Sequence, residues 1–296
     1  MNLLAIETST DACSVALLSG GGTLLDHRVE PRRHAQLVLP MIDALLAEAA
    51  LPRGALDGIA FGRGPGSFTG VRVAAAVTQG IALGLDIGVV GVSTLGCIAE
   101  GCRRELGDTC VGVALDARLD EIYWGAFVAS LDGIMTSVLE ERVCVPEAAT
   151  LQGGKGGGEL DDGREAVDGP TGRPAGRVRG EAVGRALGRT GGEASRWRLA
   201  GAGAERYAQA LVQALFPDEG ERFGGTAGEG DGNPPVRVGR LPNALDTLAL
   251  ASVIIAGEGF GRPESALPVY LRERVARTEA ERGVVHGSIH DGDARG

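Results

Sequence analysis

The stretch from Gly62 to Leu85, GRGPGSFTGVRVAAAVTQGIALGL, constrains the fold of this 296-residue chain more than any other. It opens with closely spaced glycines and a proline, which permit positive φ angles and remove a backbone donor, so it begins as a turn. Ser67 or Thr69 can then cap a helix by accepting a hydrogen bond from a free amide. From Val71 onward that helix is apolar on almost every face, so we expect other elements to cover it on more than one side.

Three common motifs do not fit this turn. A dinucleotide fingerprint requires G-x-G-x-x-G, but the glycine that follows Gly64 and Gly66 is Gly70, one position too late. A P-loop would continue with Lys and then Ser or Thr, where this chain has Val and Arg, and the spacing G-x-S-x-G of a nucleophile elbow is absent from the stretch. Two interpretations remain open: the helix N-terminus binds an anion, or the turn only lets the helix pack close to a sheet.

Bulk composition excludes several classes of protein. Hydrophobic residues make up 44% of the chain, enough for a sizeable core, and a net charge of −10 leaves room only for a local nucleic-acid patch. The 5 cysteines form no C-x-x-C pair, the N-terminus shows no signal region, and no uninterrupted apolar run approaches a membrane span. We therefore expect a soluble, reduced, cytoplasmic protein.

The order of predicted elements indicates two related halves. Three antiparallel strands, a helix from about His34 to Ala50, a strand, the apolar helix, another strand and another helix give the order β-β-β-α-β-α-β-α. At Val111, VGVALDARLDEIYWGAF begins a weaker copy of LLAIETSTDACSVALL, in which Asp116 stands where Glu7 stands. Duplicated β-β-β-α-β-α halves are the layout of the actin-like ATPase superfamily (ASKHA, RNase H-like), so we predict an α/β fold of that class.

The same pattern predicts where the halves begin and end. Residues 1–106 form an N-terminal, partner-binding subdomain and residues 107–275 a C-terminal one. Two glycine-rich stretches, at about 152–192 and 217–235, contain too few apolar residues for burial and are predicted to be disordered insertions. Residues 276–296 are predicted to be a loose polar tail.

A nucleotide between two such halves would lie at the ends of their first strands. Glu7 and Asp116 can hold a metal–phosphate water there, or they simply solvate turns. The hydroxyl groups of Thr8 and Ser9 can donate hydrogen bonds to a phosphate, or they can satisfy nearby backbone groups. Gly201 and Gly203 can leave space for an adenine, or they can simply end a strand. The candidates for a residual nucleotide or anion site are Glu7, Thr8, Ser9, Ser67, Asp116, Gly201 and Gly203. No metal site is predicted, because the H-x-x-x-H pair His286 and His290 lies in the loose tail without an adjacent glutamate.

Several segments together resemble the TsaB (YeaZ) family. They are IETSTDACSVALL, RRHAQLVLPMIDALL, GRGPGSFTGVRVAAAVTQGIALGL, GVSTL, LDARLDEIYWGAF, LAGAG and PVYLR. The resemblance covers about residues 1–150 and resumes at 197–216 and 241–272, and its most specific parts are GPGSFTG-x-R and DAR-x-x-E-x-Y. The glycine-rich stretches depart from the family pattern, as does Glu7, where members commonly carry Asp.

The resemblance implies a role in making N6-threonylcarbamoyladenosine at position 37 of bacterial tRNA. Family members are non-catalytic subunits that act as scaffold and activator for TsaD, together with the ATPase TsaE. TsaD transfers the threonylcarbamoyl group from threonylcarbamoyl-adenylate and binds metal through an H-x-x-x-H pair on the helix after a GV dipeptide. Here that helix begins Ser93, Thr94, Leu95, Gly96 and has no histidine.

The resemblance therefore implies no cofactor on this chain, with ATP, metal and the adenylate handled by the partner subunits. tRNA would be met only through the complex, and no membrane partner is expected. The alternative is an independent metallopeptidase or ATPase of the actin-like superfamily, since a shared fold does not establish a function.

The partner surface is predicted from two neighbouring helices on one face of the N-terminal sheet, which carry more apolar surface than the sheet can cover. We expect the remaining patch to meet two TsaD helices in a four-helix bundle, and to form a weak homodimer when TsaD is absent. The predicted partner-binding residues are His34, Val38, Met41, Ile42, Leu45, Arg72, Val73, Ala76, Val77 and Gly80. The sequence leaves open which of them face outward.

Overall fold

The chain folds around two β-sheets in a computed structural model that describes residues 1–130, 133–151, 197–216, 236–237 and 240–272. The predicted insertions at about 152–192 and 217–235 and the predicted tail at 276–296 lie outside these residues. The helices are α1 (His34–Glu48), α2 (Phe68–Leu85), α3 (Thr94–Leu106), α4 (Ala202–Arg206), α5 (Ala208–Leu215) and α6 (Ala244–Glu258).

The N-terminal sheet has five strands in the order β3-β2-β1-β4-β5. They are β1 (Leu3–Glu7), β2 (Ala12–Ser19), β3 (Gly22–Val29), β4 (Gly58–Gly64) and β5 (Gly88–Ser93). As predicted, β1, β2 and β3 are antiparallel, while β4 runs parallel to both β1 and β5. Every residue of β1 is buried, because α1 and α2 cover one face of the sheet and α6 covers the other.

The second sheet repeats the order of the first. Its strands are β6 (Cys110–Arg118), β7 (Glu121–Ala129), β8 (Met135–Ser137), β9 (Arg142–Cys144), β10 (Arg198–Ala200) and β11 (Val236–Arg237). They are arranged β11-β10-β6-β7-β8, with β9 also paired to β7. In each half the first strand is therefore central, with the second and third on one side and the last two on the other. This repeat confirms the predicted actin-like α/β fold.

Two helices interlock the halves. α3 follows the first sheet in the chain but packs on β6 and β7, whereas α6 packs on β1, β2 and β5 of the first sheet. The two helices also contact each other, with the Cys97 Sγ atom 3.3 Å from the Thr247 Oγ1 atom in the buried interior. Each half therefore contributes a helix to the core of the other.

α2 begins where the glycine turn predicts. The Ser67 hydroxyl accepts a hydrogen bond from the Gly70 amide at 3.0 Å, so Ser67 is the N-cap. By length and composition alone, α2 is long and apolar enough to cross a membrane. Here it packs on β4 and α1, with Ala74, Ala75 and Ala82 in the core, as a helix of a globular protein does.

Candidate functional site

Glu7, at the end of β1, has no exposed surface. Its Oε1 atom accepts a hydrogen bond from the Ser9 amide at 2.7 Å, and its Oε2 atom accepts one from the Thr94 hydroxyl at 3.3 Å. Burial raises the pKa of this carboxyl above 4.5, and the hydrogen bonds offset only part of that effect. Glu7 therefore faces the buried interior between β1 and α3.

The glycines of the turn press it against the loop that follows β1. A Cβ atom on Gly62 would lie 2.0 Å from Glu7 Oε2, and one on Gly70 would lie 2.0 Å from the Thr8 carbonyl oxygen. The Thr8 hydroxyl donates to the Gly70 carbonyl at 2.7 Å, and the Ser67 amide donates to the Ser9 carbonyl at 2.7 Å. These contacts favour the close-packing interpretation of the turn over the anion-binding one.

Asp116, the counterpart of Glu7 in the second half, holds a tight turn. Its carboxylate accepts the Arg118 amide at 2.8 Å and the Arg206 guanidinium at 2.9 Å, and the turn from Arg118 to Asp120 has three positive φ angles, of 65°, 55° and 60°. Gly201 and Gly203 lie against the β6 backbone, because Cβ atoms there would approach the carbonyl groups of residues 114 and 115 at 2.4 and 2.8 Å. Among the described residues, no hydrogen bond joins this group to the one around Glu7, and a residual nucleotide site stays a prediction.

The start of α3, where TsaD is expected to carry its metal ligands, is part of the core. The Ser93 hydroxyl accepts the Gly96 amide at 3.1 Å and donates to Glu141, while Thr94 donates to Glu7. Cys97 has no exposed surface, and burial raises the pKa of its thiol well above 9.0, so it stays protonated. Across the described part of the chain, no three His, Cys, Asp or Glu side chains are grouped to hold a metal ion.

Three of the recognised motifs meet beside α2. The Arg72 guanidinium carbon lies 3.2 Å from the centre of the Phe68 ring and 5.2 Å from that of Tyr270. Two residues further on, Arg272 donates to the Glu121 carboxylate and, at 3.2 Å, to the Arg118 carbonyl. The segment 267–272 therefore crosses from α2 to the β6–β7 turn and joins GPGSFTG-x-R, PVYLR and DAR-x-x-E-x-Y.

Sequence reasoning missed the site roles of Phe68, Glu121, Tyr270 and Arg272. The only signal for them was their place inside those motifs, because spacing along the chain does not reveal that residues 72 and 270 are neighbours.

The structure corrects half of the predicted partner surface. The α1 residues predicted to meet a partner point into the core against the N-terminal sheet, with exposed fractions of 7% or less: His34, Val38, Met41, Ile42 and Leu45. Their helical spacing marks the face that the sheet itself covers, so they are not available to another protein. The outward residues of α1 include Leu39, Asp43, Ala44 and Ala47.

The α2 residues divide differently. Arg72, Ala76 and Gly80 are exposed, one turn apart, whereas Val73 and Val77 are half-buried against the core. Leu83 continues the exposed side and is 53% accessible. We define the α1/α2 face as the exposed residues Leu39, Asp43, Ala44, Ala47, Arg72, Ala76, Gly80 and Leu83.

Duplicated halves with exchanged helices place the chain in the actin-like superfamily. In this member, the acid at the end of the first strand of one half, Glu7, is buried, and its counterpart in the other half, Asp116, stabilises a turn. A family model described as TsaD, tRNA N6-adenosine threonylcarbamoyltransferase, matches residues 28–171. Two proteins called tRNA threonylcarbamoyladenosine biosynthesis protein TsaB align with part of the chain. The one from Escherichia coli (strain K12) is 42% identical over 147 residues, covering 50% of this chain and 64% of the relative. The one from Haemophilus influenzae is 40% identical over 159 residues, covering 51% and 67%.

Solved structures extend the likeness over most of the chain. The structure described as YeaZ from Pseudomonas aeruginosa is 35% identical, with a TM-score of 0.66, covering 91% of this chain and 99% of that one. A crystal structure of an uncharacterized protein with similarity to peptidase YEAZ, from the same species, is 36% identical, with a TM-score of 0.65, covering 92% and 99%. The chain belongs to the TsaB (YeaZ) family.

Proposed function

We propose that this chain is a non-catalytic subunit of the complex that transfers a threonylcarbamoyl group to N6 of adenosine 37 in tRNA. The names of its Escherichia coli and Haemophilus influenzae relatives support the pathway. The observation that carries the non-catalytic role is the buried first turn of α3, where Leu95, Cys97 and Ile98 have no exposed surface. A metal ligand needs an open position for substrate or water, which a packed core does not provide.

The chemistry then belongs to the partners. TsaD supplies the metal and the binding site for the donor, threonylcarbamoyl-adenylate, TsaE supplies ATP hydrolysis, and this chain acts as scaffold and activator. The alternative of an independent metallopeptidase or ATPase finds no support in the contacts of Glu7 and Asp116, which are both engaged within the fold.

The α1/α2 face is the proposed contact with TsaD. Its small residues, such as Ala44, Ala76 and Gly80, let a facing helix approach closely, and the exposed Leu39 and Leu83 provide apolar contacts. Two helices from each subunit would form a four-helix bundle that buries about 800 Å² per partner. Without TsaD, the same face would pair weakly with a second copy of this chain.

Reconstitution with purified TsaD, TsaE, adenylate donor and tRNA tests the proposal. We expect modified tRNA only when this chain and TsaD are both present, and no ATPase or peptidase activity from this chain alone. Ala76→Glu should abolish the complex, measured by size exclusion with light scattering, and with it tRNA modification. Ala256→Glu, the same change at an exposed position of α6, is the matched control and should leave both intact.

Two results would count against this function. Activity of the isolated chain that is lost on mutating Glu7 or Asp116 would make it an enzyme in its own right. Normal complex formation by Ala76→Glu and by a similar change at Ala44 would place the interface elsewhere.

A further inference from the structure

Arg72 is an exposed arginine whose position is unusually well defined. It lies in the first turns of α2, and its guanidinium stacks on Phe68 while Tyr270 lies on another side, the two rings being 6.4 Å apart and tilted by 41°. Stacking on aromatic rings restricts a side chain that is otherwise long and flexible. The donors of Arg72 are therefore held in place before any partner arrives.

Arg72 has no salt bridge to an acidic side chain in the described part of the chain, and among the arginines there it is the one that lies over two aromatic rings. Several arginines pair with carboxylates, such as Arg53 with Asp43 at 2.6 Å and Arg206 with Asp116 at 2.9 Å, whereas within the described residues Arg142, like Arg72, does not. The chain has 39 acidic and 29 basic residues, so acids outnumber the arginines that need them. An oriented guanidinium without a carboxylate is suited to accept one from outside, through paired N–H···O bonds.

The surroundings indicate a protein partner. Phe68 and Tyr270 are 56% and 52% exposed, and Arg72 continues the exposed line of Ala76 and Gly80 along α2. Arginine with aromatic residues is the composition of energetic centres in protein interfaces. A nucleic-acid platform would need further cations around the rings, and the net charge of −10 opposes a phosphate backbone.

We propose that Arg72 is the charged anchor of the α1/α2 face and that it receives an Asp or Glu carboxylate of the partner subunit, with Phe68 and Tyr270 as its positioning residues. This inference rests on the proposed function, because it names the chemistry by which the same face selects TsaD. Helix packing through small residues discriminates little between partners, whereas a buried charge pair penalises any partner that leaves Arg72 unmatched.

Affinity of the full chain for its cognate TsaD tests the proposal. Arg72→Ala should weaken binding by about 10- to 100-fold and flatten its dependence on salt, and Arg72→Lys should be intermediate because lysine lacks the planar fork. Arg142→Glu, an exposed arginine on β9, is the matched control for Arg72→Glu and should bind normally. Among single Asp or Glu→Arg variants of TsaD, one should restore binding to Arg72→Glu.

The outcomes separate this inference from the proposed function. If Arg72→Ala binds TsaD within about twofold of the unaltered chain while Ala76→Glu does not bind, the face is correct and the anchor is wrong. If Ala76→Glu and a similar change at Ala44 also bind normally, the interface lies elsewhere, and the anchor proposal fails together with the proposed α1/α2 contact. If Arg72→Ala lowers the affinity of the chain for tRNA and leaves TsaD binding unchanged, then Arg72 and its two aromatic neighbours bind nucleic acid, and the anchor proposal is overturned.

Discussion

Gly62→Ala should destabilise the isolated chain by roughly 2–4 kcal/mol, because the new methyl group would occupy the space of the Glu7 carboxylate. The Cβ atom would lie 2.0 Å from Oε2, whereas ordinary contact begins at 3.4 Å, so the carboxylate would have to move by the difference, 1.4 Å. Glu7 has no exposed surface, and the Ser9 amide and the Thr94 hydroxyl hold its two oxygens. Moving it therefore adds strained or lost hydrogen bonds to the overlap.

A compensating substitution makes the argument specific. Glu7→Asp shortens the side chain by one methylene, about 1.5 Å, which matches the displacement that the added methyl group would require. Alone, Glu7→Asp should cost about 1–3 kcal/mol, for the lost packing and for the hydrogen bonds to the Ser9 amide and the Thr94 hydroxyl that the shorter side chain strains or loses. The double variant Gly62→Ala with Glu7→Asp should lose about 1–3 kcal/mol less stability than the sum of the two single losses. The reason is that the added methyl group fills the space that the shorter acid vacates.

Urea unfolding followed by far-UV circular dichroism measures this cycle. With a slope of about 1–3 kcal/mol per molar urea, the single Gly62→Ala change should move the midpoint by about 0.7 M or more. Gly80→Ala is the matched control: nothing lies within 4 Å of its added Cβ, so it should stabilise α2 by about 0.5–1 kcal/mol. Costs for Gly62→Ala and Glu7→Asp that add within about 0.5 kcal/mol would refute the explanation.

Three further perturbations test other parts of the structure. Glu7→Gln should become more stable relative to the unaltered chain as the pH rises above 4.5, by up to about 1.4 kcal/mol per pH unit. The reason is that the raised pKa makes the folded state favour the protonated acid until the pH passes that pKa. Urea unfolding of both proteins between about pH 4 and pH 8 measures the difference, and parallel curves of stability against pH would contradict the prediction. Ile42→Asp should lower the free energy of unfolding by about 3–5 kcal/mol, since it places a charge in the core. Ala76→Glu, at an exposed position, should change the melting temperature by no more than a few degrees. Equal losses of stability in the two variants would contradict the assigned orientation of α1. Phe260→Ala should cost about 1–2 kcal/mol in urea unfolding, because the ring covers the paired Gly58 and Gly88 on β4 and β5, and an unchanged midpoint would show that this cover contributes nothing.

The local parts of the fold could be predicted because their causes are local. The glycine turn and the Ser67 cap specify the start of α2, and the short repeat from Val111 predicts a second antiparallel pair that β6 and β7 form. The exchange of α3 and α6 between halves could not be predicted, since each helix is apolar enough to cover either sheet. Only the contacts between distant segments decide which sheet it covers.

The error about α1 has a physical origin that applies to any amphipathic helix. A helical stripe of large apolar residues shows that a surface is covered, without showing by what, and the chain's own sheet is the nearest cover. His34 to Leu45 therefore became core, while the outward side kept mostly small or polar residues such as Asp43 and Ala47. The partner surface that we propose for this chain is therefore defined by the small residues on the outward side of α2, such as Ala76 and Gly80, and not by the apolar stripe of α1.

The contact of the three motifs beside α2, here called the motif junction, brings together residues that are far apart in the chain. Asp116 fixes the β6–β7 turn, the turn presents Glu121 and the Arg118 carbonyl to Arg272, and two residues earlier Tyr270 reaches Arg72. These contacts connect Asp116 to the Arg72 guanidinium through segments outside α2. Glu7 holds the loop after β1, and Asp116 holds this junction in place. The proposed partner surface therefore depends on contacts from both halves of the chain.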